Sequence, residues 1–334
     1  NIANPMATVL SAAMMFENFG LQAEGKAIRD AVNNALNKGI VTEDLADGGK
    51  SYGTKEVGDW LAKNIDSVAL LHIGPDTKRY NVGHIPGSRF VAWKEIATIR
   101  DGVPNELPRI EVLTKLFKDL GIGNTKKIVI YGDVRGLYAA RTFFTLDYLG
   151  HGNRVALLNG GLEKWKGENR TVSVKVEERI PANFIPNVQL GKVVPIERVI
   201  DVSWSIQNLK RPKFSLVDAR PIDYYAGVKK SKSNKRGGHI PGAKSFYWMN
   251  NLVSRDNPVM LPKGKLRKMY ESQGVTRSKK AIVYCQSGGQ ASHTYFTLRY
   301  LGYDVTMYDG SFGEWSNKEF TVVYSRDGIN TIGH

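Results

Sequence analysis

The sequence predicts an α/β protein: two copies of one unit, each a parallel sheet flanked by helices, preceded by an α-helical N-terminal segment. Three observations carry this. First, four blocks recur in the same order. GHIPGS at Gly83–Ser88 returns as GHIPGA at Gly238–Ala243, and KKIVIYGD, ending at Asp133, returns as KKAIVYCQ, ending at Gln286. FTLDYLG from Phe144 returns as FTLRYLG from Phe296, and LNGGLEKW, ending at Trp165, as YDGSFGEW, ending at Trp315. The spacing of about 150 residues is one domain length, so the pattern is domain duplication rather than a solenoid. Second, each copy alternates short apolar runs with amphipathic stretches, the signature of a parallel sheet covered on both faces. Third, the opening stretch has helical periodicity and repeats nowhere else. The expected division is 1–58 helical, 59–180 first copy, 181–334 second copy.

Taken in order, MATVLSAAMMF (Met6–Phe16) is too short for a membrane span and lacks a basic leader, so it reads as a helix and not a signal peptide. AEGKAIRDAVNNALNKGI continues the helical pattern. In each copy an apolar run (VALLHI, FSLVDA) precedes Gly-His-Ile-Pro-Gly, and an amphipathic stretch (RIEVLTKLFKDLGI, KGKLRKMYESQGV) follows it. A β-rich run (IVIY, AIVY) then feeds a loop and a helix, and a last short strand follows (VALLNGG, VTMYDGS).

Composition sets outer bounds. Hydrophobic residues at 42% suffice for real cores, and charged residues at 24% are ordinary for a globular chain. One cysteine in 334 residues excludes an internal disulfide framework and a Cys-rich zinc site. The six histidines show no metal-ligand spacing, so neither a metal nor a cofactor is expected. The net charge is +15, which attracts anions. The densest basic run, KKSKSNKR (Lys229–Arg236), has no interleaved aromatics to stack bases. It reads as a solvated loop, with an anion-gathering rim as the functional alternative, and no nucleic-acid partner is expected. No stretch reaches the roughly 18 apolar residues of a membrane span. Compartment and oligomeric state have no signal in the sequence.

The single thiol is the sharpest feature. Cys285 follows AIVY at the carboxyl end of an expected strand, where ligands sit in such sheets. Gly288 and Gly289 let the loop curl with its amides inward, and a helix N-terminus adds partial positive charge. A thiol so placed is expected to ionise more easily than a free cysteine and to act as a nucleophile. The alternative is a buried small hydrophobe.

The duplicated Gly-His-Ile-Pro-Gly, the Cys-led loop and YDGSFGEW together resemble the tandem rhodanese family of sulfurtransferases, over about Asp59 to Tyr324. The resemblance implies that Cys285 takes the outer sulfur of a donor, carries it as a persulfide and passes it to a thiophilic acceptor such as cyanide. It implies that Gln286, Ser287, Gly288, Gly289, Gln290 and Ala291 form the sulfur cradle. It also implies that Arg220 of LVDAR contacts the anionic end of the donor, supported by Asp218. His84 and His239 are expected to brace their turns, and Trp165 and Trp315 to pack.

The first copy departs from the pattern at each chemical position. Gly132-Asp133 stands at the cysteine position, and His72 and Gly74 stand where Asp218 and Arg220 do. It is therefore expected to be inert, burying one face of the active copy and walling its site. Asp133 as a general base is the alternative, with nothing local in the sequence to activate it.

The donor implied by the resemblance is thiosulfate. Gln286 and Ser287 replace the basic residues that often follow the cysteine in thiosulfate enzymes, and Ser287-Gly288 resembles the loop of 3-mercaptopyruvate enzymes. Against the latter, the acid those enzymes carry after the first Gly-His-Ile-Pro-Gly is absent, Glu95 coming too late, and SFYWMNNL resembles bacterial thiosulfate members. A Cys-x5-Arg phosphatase is excluded because Ala291 occupies the arginine position. A sulfur-binding module without turnover is the non-enzyme alternative; burial of Cys285 would favour it, and an available Arg220 would oppose it.

Residues 1–61 resemble the C-terminal end of the isocitrate and isopropylmalate dehydrogenase family, including GTKEVGD at Gly53–Asp59. In that family the turn matching Asn4-Pro5 borders the adenine of the dinucleotide. The metal-binding aspartates and the catalytic Tyr and Lys have no counterpart here, so this stretch is expected to be an inactive remnant. EVGDWLAKNI fits both the last dehydrogenase helix and the helix that precedes a tandem rhodanese.

Overall fold

The two copies fold in the computed structural model as two four-stranded parallel sheets with one strand order. The structure describes residues 4–18, 22–64, 68–100, 102–124, 126–177, 179, 181–326 and 329–333. Packing divides the chain into two compact units, Asn1–Val68 and Ala69–His334.

In the first unit, helices Met6–Asn18, Gln22–Asn37 and Thr54–Asn64 close on Met6, Ala31, Val32, Ala35, Val57 and Leu61. Small residues at Ala31 and Ala35 leave room for close helix contact. The Asn4-Pro5 turn starts the first helix: the Asn4 side-chain oxygen accepts the Met6 amide at 2.9 Å, and its amide nitrogen donates to Asp44 at 2.9 Å. These helices thus build a core of their own. Residues 1–3 of the dehydrogenase-like stretch lie outside the described residues.

In the second unit, the first sheet runs Ser88–Ala92, Ala69–Gly74, Ile128–Gly132, Val155–Leu157 across its width. The other runs Lys244–Ser245, Phe214–Asp218, Lys280–Tyr284, Val305–Met307 in the same sequence of roles. All these neighbours pair parallel. The central strands are buried on both faces, as continuous runs of Val, Ile and Leu require.

The copies bury one another through their matched helices, Leu137–Tyr148 and Gly289–Tyr300. Phe143 meets Phe296 edge-on at 4.9 Å between ring centroids, and Phe144 meets Tyr295 at 5.0 Å. Asp147 and Arg299 differ between the two FTLxYLG blocks, and here they pair with each other at 3.1 Å. Tyr295 donates to the same carboxylate at 2.6 Å. One hydrophobic core runs through both copies.

The Gly-His-Ile-Pro-Gly turns are braces, as expected. His84 stacks on Tyr80 at 3.7 Å and His239 on Tyr225 at 3.7 Å, each imidazole Nδ1 also meeting that tyrosine's carbonyl. Trp315 is buried and donates to the Thr321 carbonyl. Trp165 departs from its expected packing role: it is half-buried, with Arg170 lying over its ring.

Candidate active site

Strand Lys280–Tyr284 ends directly on Cys285, and helix Gly289–Tyr300 begins four residues later. The turn between them needs Gly288, whose φ is +78°. A side chain there would meet Asp309 Oδ1 at 2.5 Å and Arg141 Nη1 at 2.9 Å. The turn directs the backbone amides of Ala291, Ser287 and Gln290 at the Cys285 sulfur. Of the residues 286–291 expected to form a cradle, three thus turn their amides to the sulfur.

Ser311 ties the loop from below. Its hydroxyl accepts the amides of Cys285 at 3.2 Å and Gly288 at 3.1 Å and donates to the Tyr308 carbonyl at 3.0 Å. Ser311 holds a left-handed backbone, φ +56°, unusual for serine and offset by these bonds. Beneath Gly288 lies a buried ion pair that joins the two copies: Arg141 of the first copy donates Nη1 to Asp309 Oδ1 of the second at 2.5 Å and Nη2 to Oδ2 at 3.0 Å. Asp309 also accepts the Leu107 amide at 2.9 Å.

Cys285 is 1 % exposed, yet it lines a cavity of about 290 Å³. The second copy supplies Gln286, Ser287, Gly289 and Gln290 to that cavity; the first supplies Trp93, Asn105, Leu137 and Tyr138. Trp93 and Tyr138 lean together at 4.4 Å between ring centroids. The side-chain oxygen of Gln290 is buried without a partner among the described residues. Among the described residues, no cationic side chain lines the cavity.

Two expectations need correction. The cradle and helix end were expected to depress the Cys285 thiol. Instead, burial pushes it above its ordinary value, and the amides of Ala291, Ser287 and Gln290 only reduce that rise. Arg220 was expected to face the donor. Its Nε and Nη2 are spent on Asp218, at 2.9 Å and 2.6 Å, and Nη2 also donates to the Gly238 carbonyl at 2.7 Å. The guanidinium lies over the Phe312 ring at 4.0 Å and is absent from the cavity lining. Burial weakens its charge, but the Asp218 carboxylate more than compensates and keeps it protonated. It remains close enough for its charge to act on Cys285 through space.

The basic run is also less free than a solvated loop. Asn234, 5 % exposed, exchanges two amide hydrogen bonds with Gln286, the residue after the cysteine. Arg236 donates to the carbonyls of Ser316, Phe320 and Lys318. The run therefore flanks the cysteine loop.

In the first copy Gly132 stands at the cysteine position, and Asp133, the next residue, lies beside Arg79 at 3.1 Å and His72 at 3.7 Å. Burial raises its carboxyl, and the bonds and charges of His72 and Arg79 outweigh burial and hold it below its ordinary value. That weakens it as a base.

The sequence led to a wall from the first copy but to none of the residues that line it. Trp93 carried one usable signal: it stands nine residues after its Gly-His-Ile-Pro-Gly histidine, as Trp248 does after His239. Asn105 and Arg141 carried none.

Residues 58–168 and 201–318 match the rhodanese-like domain family, and the chain belongs to the rhodanese family of sulfurtransferases. Residues 1–61 match the isocitrate/isopropylmalate dehydrogenase family, overlapping the first match at 58–61. The chain is 34% identical over 269 residues to the sulfur carrier protein TtuD of Thermus thermophilus, covering 78% of this chain and 92% of that one. It is 32% identical over 268 residues to a thiosulfate sulfurtransferase of Corynebacterium glutamicum, covering 77% and 86%. Among solved structures, YnjE shares the fold with a TM-score of 0.66 at 22% identity, over 78% of this chain and 64% of that one. The EanB wild type gives 0.65 at 23%, over 75% and 62%. The chain spans less than two thirds of the length of these two neighbours. Among the described residues, no helix is long and apolar enough to cross a membrane.

Proposed function

We propose that the chain moves a sulfane sulfur from thiosulfate to a thiophilic acceptor such as cyanide through a persulfide on Cys285. The observation that carries this is the convergence of three backbone amides on the only thiol, at the floor of a cavity. In the first half-reaction the Cys285 thiolate attacks the outer sulfur of thiosulfate. The new S–S bond forms as the old one breaks, and its electron pair leaves on sulfite. In the second, cyanide attacks the outer persulfide sulfur, thiocyanate departs and the thiolate returns. Net charge and atoms balance in both halves. The cradle amides serve the anionic outer sulfur, which the thiol alone does not carry. Arg220 contributes its field rather than a contact. Residues 1–58 carry no part of this chemistry, 59–180 wall the site and 181–334 hold it; no hydride transfer to NAD or NADP is expected.

The cavity's lack of a lining cation favours a second donor, 3-mercaptopyruvate, whose single carboxylate demands less charge compensation than a dianion. The burial of Cys285 supports the sulfur-holding alternative, as does the likeness to the sulfur carrier protein of Thermus thermophilus; the cavity opening on the thiol opposes it. The test is thiocyanate release from each donor with cyanide. Turnover with thiosulfate supports the proposal, turnover with mercaptopyruvate alone replaces the donor, and a stable persulfide without turnover replaces the enzyme with a carrier.

A further inference from the structure

The two copies meet at Cys285 through a short chain of hydrogen bonds whose direction is fixed. Trp93 Nε1 donates to Asn105 Oδ1 at 3.1 Å. Indole nitrogen is a donor only, so the amide oxygen of Asn105 must face it. The amide nitrogen therefore faces the other way, donating to Ser287 Oγ at 2.9 Å. Ser287 is the acceptor in that bond, which leaves its own O–H proton free for a group in the cavity it lines. Ser287 also contributes one of the three amides that reach the Cys285 sulfur. Asn105 holds this place with a left-handed backbone, φ +64°, a conformation asparagine tolerates better than most residues.

We infer that Asn105, from the cysteine-less copy, is a positioning residue that fixes the Ser287 hydroxyl as a hydrogen-bond donor to the sulfur in transit. This rests on the persulfide reading of the site. The developing negative charge sits on the departing group in the first half-reaction and on the outer persulfide sulfur after it. A hydroxyl pointed into the cavity adds a donor to the three amides, with no proton transferred. In an otherwise uncharged cavity, that donor replaces part of what a lining cation would supply.

The test is a cycle of Asn105→Asp and Ser287→Ala, read as the rate of persulfide formation on Cys285 in a single turnover with the donor that wild type uses. Asn105→Asp is nearly isosteric and tolerates the same backbone. Its second oxygen accepts where the amide nitrogen donated, so it takes the Ser287 proton away from the cavity. The expected losses are roughly tenfold to a hundredfold for each single variant. Compared at equal thiolate fraction, the double variant is expected to be no slower than Ser287→Ala alone. Trp93→Phe removes the indole N–H without adding charge, freeing the amide to turn, and is expected to lose a smaller part of the rate only while Ser287 is present. The pH profile of Cys285 alkylation separates the added charge of Asn105→Asp, which shifts that profile whether or not Ser287 is present. A wild-type rate in Asn105→Asp or in Ser287→Ala overturns the inference, and so do losses that simply multiply in the double variant. Failure of wild type to form any persulfide overturns the underlying reading instead.

Discussion

The two copies share a strand order, a histidine–tyrosine brace and a helix-to-helix contact, yet only one carries a cysteine at its strand end. They diverge where side chains touch the loop at the strand end. Cys285 has Gly132 at the matching position, followed by Asp133 where the second copy has Gln286; Ser311 matches Gly161, and Asp309 matches Asn159. Arg141 and His293 also match, and they differ in the same sense. Arg141 holds a buried charge under the cysteine loop, whereas burial pushes the His293 imidazole down to about 4, so that it stays neutral. The loop backbones differ as well. Val134, Arg135 and Gly136 are consecutively left-handed, whereas in the second copy Gly288 alone is. Duplication supplied the frame twice; the cysteine loop differs from its counterpart by a few contacts, several of them crossing from the first copy.

The largest effect expected on the frame comes from Arg141→Met. It strands the Asp309 carboxylate in the core and should cost about 3–5 kcal/mol in denaturant unfolding, with transfer lost before the fold is. His293→Gln at the matching site leaves no buried charge behind and should cost less. Equal costs would remove the asymmetry.

Gly288→Ala comes next. Its left-handed backbone and the contacts to Asp309 and Arg141 predict a penalty of roughly 1–3 kcal/mol and a displaced cradle. Gly136→Ala has the same sign of φ, +82°, but nothing within 4 Å of the added carbon. It should cost about 1 kcal/mol and leave transfer intact. Thiocyanate assays beside thermal melts distinguish the two.

The pH profile has a smaller and more specific signature. Burial holds the Cys285 thiol above its ordinary value of 9.0, so the thiolate appears only as pH rises through that higher value. Iodoacetamide labelling should climb about tenfold per pH unit from neutrality without levelling off below pH 9. A plateau near neutral pH would show that the amides win over burial.

The smallest expected effect is none. Gly132→Cys placed in a Cys285→Ser background should restore no transfer, because the loop of the first copy lacks the Ser311 tie and follows a different backbone path. Recovered thiocyanate release would show that the cysteine alone makes the site.

Much of this was legible in the sequence. The repeat led to the two sheets, and the β-rich run led to the place of Cys285 at a strand end before a helix. The misreadings share one cause: sequence shows which groups are near in the chain, not how deeply they are buried or what has already claimed them. The Arg220 charge was visible, but its capture by Asp218 two residues away was not. The amides aimed at Cys285 were foreseeable, but the desolvation that outweighs them was not. Asn105 lies 182 residues from Ser287, and nothing local marks a contact across that separation.

The most direct measurement is the intact mass of the protein after incubation with thiosulfate, and separately with mercaptopyruvate, followed by peptide mapping. One added sulfur on the Cys285 peptide, removed by cyanide and absent from Cys285→Ser, is the predicted result. A sulfur adduct that persists in Cys285→Ser, or no adduct from either donor, would contradict the account.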